Sequence, residues 1–456
     1  MWCVAPQTSE AQSIMGQADP SARGAGTLVG IPGRLNSVLT VGADGAVDES
    51  SRTIVSNSFD PNSGGILGDP SVATDPQFRG VQYFSAVHGL LSLSKRTDHV
   101  SWQVTGGSSV RFYPGLQEVI RTRDNLNAFL AVPVGGRMRF YGSGFVAYSP
   151  YYSLASALSP GGTVDPAVVD GPSSSVQPPI TAPDPSATAV DYSLVRRSAY
   201  TSGTLGGFTY RLGQYSSLSV SGRTQRTDFV EATAPSLHAW DARFRYSHQI
   251  SRGTSVHVGY GRRVARFTST TLNAPAQLED IDIGIDHSRA WSLTRNTTLR
   301  IAPGIAVIKD GITRHYNVTV AASLEHLVRR TGSLGFLYDR RAALIGGLVH
   351  PVFMDVFSAH YNENLSRRLA LDTSAAYYLG QVGVVSSSSN GYQSYNAQAR
   401  LSLALASNTF VHIDYLVYSH DLGDSVQLLG SIADVQRRQS VRIGVTLRVP
   451  LLNGRP

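Results

Sequence analysis

The stretch Val441-Arg442-Ile443-Gly444-Val445-Thr446-Leu447-Arg448-Val449 alternates without a break. Val441, Ile443, Val445, Leu447 and Val449 share one side, and Arg442, Gly444, Thr446 and Arg448 share the other. Strand side chains point to opposite faces with a period of two, whereas a helix gathers its apolar residues at a spacing of about 3.6. The stretch therefore reads as a strand with one apolar and one polar face. The pattern recurs upstream. Tyr395, Ala397, Ala399, Leu401, Leu403 and Leu405 alternate with Asn396, Gln398, Arg400 and Ser402. Ile281, Ile283 and Ile285 alternate with Asp282, Gly284 and Asp286. Tyr316, Val318, Val320, Ala322 and Leu324 stand against Asn317, Thr319, Ser323 and Glu325.

These segments run about 10–15 residues, against about 5–6 for strands of soluble domains. A tilted strand that crosses a membrane needs about 9–11. Short turns recur roughly every 40 residues: SKRT (94–97), GGR (135–137), LGQ (212–214), SRG (251–253), TRN (294–296), RRT (329–331), SRR (366–368) and SNT (407–409). The one longer interval contains a Pro-rich insertion, 150–190, with too many prolines for a sheet interior. Each repeat is strand, tight turn, strand, longer loop, so the two ends of the meander differ. A propeller also repeats at about 40 residues, but with four short strands per blade and a recurring signature. Here Trp240-Asp241 occurs once.

The chain has 456 residues, 42% apolar and only 16% charged, where about 25% charged is usual. No run approaches the about 18 apolar residues of a membrane-crossing helix; AALIGGLV (342–349) comes nearest. The formal charge is +7, carried by Arg dispersed one or two per segment, with Lys95 and Lys309 the only lysines. Nucleic acid, which calls for a clustered basic face, is not indicated. The single cysteine, Cys3, excludes a disulfide framework or a Cys-based metal site within the chain.

The polar face decides what the apolar one meets. It is Ser, Thr, Gly, Asn and Gln with scattered Arg and Asp, not the Lys and Glu of a solvated sandwich face. Aromatic residues gather toward segment ends: Tyr148, Tyr151, Tyr152, Tyr192, Tyr210, Tyr215, Tyr377, Tyr378, Tyr415 and Tyr418. An apolar outer band between aromatic girdles, around a polar interior, describes a transmembrane barrel. Hydrocarbon offers no hydrogen-bond partner to an open sheet edge, so the sheet must close.

On these features the chain resembles a porin-like bacterial outer-membrane β-barrel protein over about 81–450. Arg442, Gly444, Leu447 and Val449 resemble the C-terminal signal read by barrel-assembly machinery, although the chain runs on through Pro450 to Pro456 rather than ending on an aromatic. The resemblance implies an all-β, up-and-down antiparallel transmembrane β-barrel of about 16–18 strands. It further implies a bacterial outer-membrane location, with outer-membrane lipid, lipopolysaccharide and that machinery as partners. No named sugar, phosphate or siderophore channel is matched. The eight turns join sixteen strands and 435–450 adds another; an even total requires one more before residue 81. Residues 1–80 read as an N-terminal tail with a first strand within 30–60, and 451–456 as a C-terminal tail. Ser9-Glu10-Ala11 before Gln12 is small at −3 and −1, so residues 1–11, which lack a basic and an apolar stretch, read either as the end of an export signal or as a polar tail. The tight turns are expected on the periplasmic side and the loops around 150–190, 269–276, 385–391 and 425–434 outside.

No enzyme signature is present: Gly-x-Ser-x-Gly, His-Glu-x-x-His and the P-loop are all missing. GYGRRV (259–264) lies within a strand pattern with no helix after it. Asp98/His99 and His412/Asp414 are the pairs that could move protons, but His412 and Asp414 sit two apart on the polar face and read as lumen lining. The twelve His are scattered without metal-ligand spacing, and no cofactor is indicated. The lumen list is Arg223, Arg243, Arg245, Arg263, Asp282, Asp286, Arg300, Asn317, Asp372, Asn396, Gln398, Arg400, His412, Asp414 and Arg442. Arg is in excess, which favours a mild anion preference, unless the charges brace the wall in cross-strand pairs. The expected function is a passive, porin-like channel for small polar solutes. The alternative is a non-channel barrel serving as a surface scaffold or an accessory to polymer export.

Overall fold

The computed structural model describes residues 35–53, 80–97, 99–114, 118–149, 198–230, 236–251, 253–267, 276–287, 297–310, 313–328, 332–343, 352–382, 391–422 and 435–453. They form eighteen strands: β1 (Leu35–Thr53), β2 (Gly80–Arg96), β3 (Ser101–Tyr113), β4 (Glu118–Val134), β5 (Met138–Ser149) and β6 (Ala199–Arg211). There follow β7 (Ser216–Phe229), β8 (Leu237–Ser251), β9 (Thr254–Phe267), β10 (Ala276–His287), β11 (Thr297–Asp310) and β12 (Thr313–Val328). The last six are β13 (Gly332–Ala343), β14 (Val352–Asn364), β15 (Leu369–Val382), β16 (Gly391–Ala404), β17 (Thr409–Leu422) and β18 (Val435–Asn453). Each strand pairs with its sequence neighbours, and β1 pairs antiparallel with β18 from Asn36↔Asn453 to Thr53↔Val435. The sheet is a closed, up-and-down, 18-strand barrel.

The wall starts at Leu35, with β1 inside the 30–60 stretch expected to hold a first strand, and ends at Asn453 rather than 450, although the signal for β1 in the sequence is weak. The reason is visible in β1, where Val41, Ala43, Gly45 and Val47 alternate with Gly42, Asp44, Ala46 and Asp48. Small residues and aspartates dilute the apolar signal, and the surrounding Gly and Ser disguise the strand as a linker. Residues 1–34, 54–79 and 150–197, which include the export-signal segment and the Pro-rich insertion, lie outside the described residues.

One end of the barrel carries tight turns. Thr97 and Val100 close the first of them, with Thr97 N–H donating to Val100 O at 2.8 Å and Val100 N–H to Thr97 Oγ1 at 3.0 Å. Gly135 and Gly136 turn the chain at φ of 61° and 70°, a backbone that side-chain-bearing residues rarely adopt. Ser366 Oγ accepts from the N–H groups of Arg368 and Leu369. The turns at 294–296 and 329–331 lie outside the described residues. The opposite end carries the longer connections, but not uniformly: only 311–312 separate β11 from β12, and 114–117 separate β3 from β4. Pro303 lies within β11 and has no N–H to give; opposite it, the β10–β11 ladder skips Ile283 and Gly284.

The outer face carries a broad band of exposed apolar side chains, with charged residues such as Arg226, Arg262 and Lys309 toward the ends of their strands. Val41, Ile281, Ile283, Ile301, Ile305, Phe336, Ile413, Val441 and Val445 are exposed on it, and Ile443, at the middle of β18, is 56% exposed. An exposed apolar surface of this extent, on a closed barrel whose inner face is polar, is that of a protein solvated by lipid. Tyr377 and Tyr415 belong to this face, but Tyr378 and Tyr418 are buried on the inner one. Residues one or three apart in a strand cannot share a face, so those two are not part of a lipid-facing girdle. Tyr148 and Tyr200 pair on the outer face with ring centroids 4.9 Å apart.

Candidate functional site

Two groups of charged side chains stand on the inner wall. The first straddles the closure of the barrel. Asp44 of β1 lies 3.3 Å from His88 Nδ1 of β2 and 3.0 Å from His412 Nε2 of β17. His412 reaches Asp44 across β18 because Gly444 lies between them: a Cβ there would collide with both side chains. Gly42 leaves room for the His88 ring in the same way. Next to this trio, Asp48 and Arg438 form a buried ion pair through both guanidinium Nε and Nη2. The guanidinium groups of Arg111 and Arg442 lie 4.5 and 5.3 Å from the centre of the Phe84 ring. Arg400 grips Asp414 with two hydrogen bonds of 2.5 and 2.9 Å, and Asp414 is 1% exposed.

The second group spans β8, β9 and β10, half-way round a ring of eighteen. His257 stands 3.0 Å from Asp286 and 3.2 Å from Asp282. Arg243 donates to Asp280 at 2.9 Å and to Asp282 at 2.8 Å, and Arg245 to Asp286 at 3.2 Å. Arg263 is 3.6 Å from Asp241. Glycines again make the crossings possible. Asp282 lies over Gly259, Asp280 over Gly261, and His257 over Gly284. Gly↔polar registers pair each of them: Asp282↔Gly259, Asp280↔Gly261 and Gly284↔His257.

The remaining residues expected in the lumen sit on the same inner face. Arg223 is buried and donates to Gln225 Oε1 at 3.0 Å. Arg300 is opposite Asp286, and Asp372 opposite Arg400, in the strand registers. Asn317, Asn396 and Gln398 are half-buried. Of the assembly-signal residues, Arg442 and Gly444 are inner-wall residues, with Arg442 Nε donating to Ser440 Oγ at 3.4 Å. Leu447 faces outward, and Val449 shares its side of the strand.

Sequence reasoning missed Asp44, Asp48, His88, Arg111, His257, Asp280 and Arg438. The alternation of β1 would have revealed the two aspartates, and the inward parity of 257 in β9 the histidine. Their meeting across glycines is a property of register, which alternation alone does not set. Chemically, the arrangement holds side chains of both signs of charge close together on the wall. Among the described residues no group of three or more His, Cys, Asp or Glu is arranged to hold a metal ion.

No protein-family profile matches the chain, and no curated protein matches it. Solved structures resemble it at low identity. Pseudomonas aeruginosa OpdQ is 9% identical, with 92% of this chain and 98% of that one covered and a TM-score of 0.44. P. aeruginosa OccK2 (OpdF), solved in complex with glucuronate, gives the same identity, coverage and score. The siderophore receptor PirA of P. aeruginosa is 9% identical, with 92% and 81% covered and a TM-score of 0.40.

Proposed function

We propose that the chain is a bacterial outer-membrane channel that passes small polar solutes by passive diffusion. One observation carries this reading: a closed 18-strand barrel presents a band of exposed apolar side chains outside and paired charges on its inner wall. A barrel of about 16–18 strands encloses an aqueous lumen, whereas about 8 strands are filled by side chains. Because Arg and Asp are paired along the wall, the excess of Arg is largely neutralised. Around the closure Arg111, Arg400, Arg438 and Arg442 stand against Asp44, Asp48 and Asp414. In the opposite group Arg243, Arg245, Arg263 and Arg300 balance Asp241, Asp280, Asp282 and Asp286. A weak anion preference follows. Purified protein in a planar bilayer tests this: discrete ohmic conductance steps with a small anion-selective reversal potential are expected, and a silent bilayer overturns the reading.

A second reading, a plugged barrel acting as a surface scaffold or an accessory to polymer export, has its own support. Asp48, Arg438, Ser440 and Asp414 are almost fully buried, more than a wall in contact with bulk water requires. Folded barrel that inserts and gives no conductance is the outcome that favours it.

A further inference from the structure

The wall is not zipped along its whole height. β12 and β13 pair from Val328↔Gly332 only as far as Val320↔Arg340. Beyond that point β12 continues to Thr313, still paired with β11 as far as Asp310↔Thr313. β13 likewise continues to Ala343, still paired with β14 as far as Ala343↔Val352. Had the ladder run on, Val318 would face Ala342. Among the described residues, Thr313–Thr319 has no register partner on the β13 side.

The upper part of β13 goes inward. Ala342 follows Phe336 and Arg340 on the outer face of its strand, since β13 and β14 pair without a register shift. Yet buried Ala342 belongs to one apolar cluster with Leu278, Ala306 and Ile308, and Phe353 packs against it. Leu278, Ala306 and Ile308 are inner-face residues, because Ile281, Ile283, Ile301 and Ile305 on the same strands are exposed outside. An outer face can touch an inner face two strands away only if the β13–β14 hairpin tucks behind β10 and β11. The sheet overlaps itself at this seam. Outside, Tyr316 and Val318 flank the uncovered β12 edge, 67% and 60% exposed.

An uncovered strand edge is costly wherever hydrocarbon reaches it, because its N–H and C=O groups find no partner there. Both sides of the overlap are apolar, so water gains nothing by entering it. We infer that the β12/β13 seam is a lateral portal between the barrel interior and the surrounding membrane, for small uncharged apolar molecules. The portal is held shut by the contact of Ala342 and Phe353 with Leu278, Ala306 and Ile308. This inference rests on the membrane-barrel architecture and not on axial conductance of ions.

The test uses full-length protein carrying Cys3→Ser with Ile308→Cys and Ala342→Cys. A short bis-maleimide is added after folding, so unbridged protein is its own control for assembly. Cells bearing unbridged protein should take up the apolar dye N-phenyl-1-naphthylamine faster than cells without it, and bridging should remove most of that gain. Ion conductance of the bridged protein should be unchanged, which separates the portal from the axial channel. No protein-dependent dye uptake, or uptake untouched by bridging, overturns the portal. In a second variant, Cys3→Ser with Val318→Cys and Ala342→Cys, no disulfide should form on oxidation. Ready formation would show that the ladder continues and would also overturn it.

Discussion

At the closure of the barrel one carboxylate, Asp44, serves two imidazoles; half a ring away one imidazole, His257, serves two carboxylates. The chemistry is mirrored, but the origin of the contacts is not. The His257 group is built from consecutive strands, with partners such as Arg245 and Asp286 separated by 41 residues. The closing group joins Asp48 to Arg438 over 390 residues. Local hairpins can assemble the first early, whereas the second exists only once β18 has met β1 and the closure entropy has been overcome. Similar sets of side chains therefore have different roles, bracing the wall in one place and holding the seam in the other.

The largest expected effect separates these roles. Asp48→Ala leaves Arg438 buried beside Arg442 and Arg111 without its carboxylate. Breaking a buried pair from one side costs about 3–5 kcal/mol. Asp282→Ala removes a partner from Arg243 and His257, but Asp280 and Asp286 remain to each, and about 1–3 kcal/mol is expected. Urea unfolding of the detergent-solubilised barrel, followed by heat-modifiable gel migration, measures both. Equal losses would remove the distinction between seam and brace.

Next comes the contrast between the faces. Ile443→Arg places a charge at mid-wall on the lipid side, at a cost of about 2–4 kcal/mol, falling to about 0–1 near the interfaces. Leu403→Arg, which the sequence pattern alone suggests as a mid-strand test, is the milder change, because Leu403 is the penultimate residue of β16, beside the turn. Gln398→Arg on the inner face should leave folding intact. Folded fraction in lipid vesicles should rank Ile443→Arg lowest and Gln398→Arg highest. A reversed order would put the lipid on the wrong side of the wall.

The glycines give a smaller effect. Gly444→Ala inserts a methyl between Asp44 and His412, and Gly284→Ala meets the His257 ring and Ala302 Cβ. The side chains at Gly444 are flexible ends that can swing aside, so Gly444→Ala should fold, whereas Ala302 Cβ cannot move away and makes Gly284→Ala the more damaging of the two. Gly444→Ala should nevertheless add to Asp44→Ala less than independently, because both remove the same contact. A double-mutant cycle on unfolding free energy reads this, and strict additivity would mean that His412 and Asp44 do not interact.

Much of the barrel was legible because membrane strands are long and period-two alternation is strict: β10, β16 and β18 show it residue by residue. Strand number followed from the turns. What stayed hidden depends on pairing between distant segments. Asp44 and His412 carry no mutual signal in the chain, and their approach depends on the smallness of Gly444 and on the β17–β18–β1 register. The β12/β13 overlap was invisible for the same reason: Tyr316, Val318 and Val320 alternate perfectly on a strand whose upper half has lost its neighbour.

The smallest effect concerns whether both groups line one aqueous path. Arg442 belongs to the closing group and Arg300 lies beside Asp286 in the opposite one. Fixed charges on a pore wall bias ion passage only where ions pass close enough to escape screening, about 8–10 Å at physiological salt. Arg442→Gln and Arg300→Gln each remove one positive charge, so each should move the reversal potential under a salt gradient by a few millivolts toward cations. Equal shifts mean that permeating ions sample both walls. A shift from Arg300→Gln alone would mean that the burial around Arg438 and Ser440 reflects a covered seam, with the solute path displaced toward the β8–β11 wall. No shift from either, in protein that conducts, would place the conducting path away from both groups and end their claim to be its selectivity site.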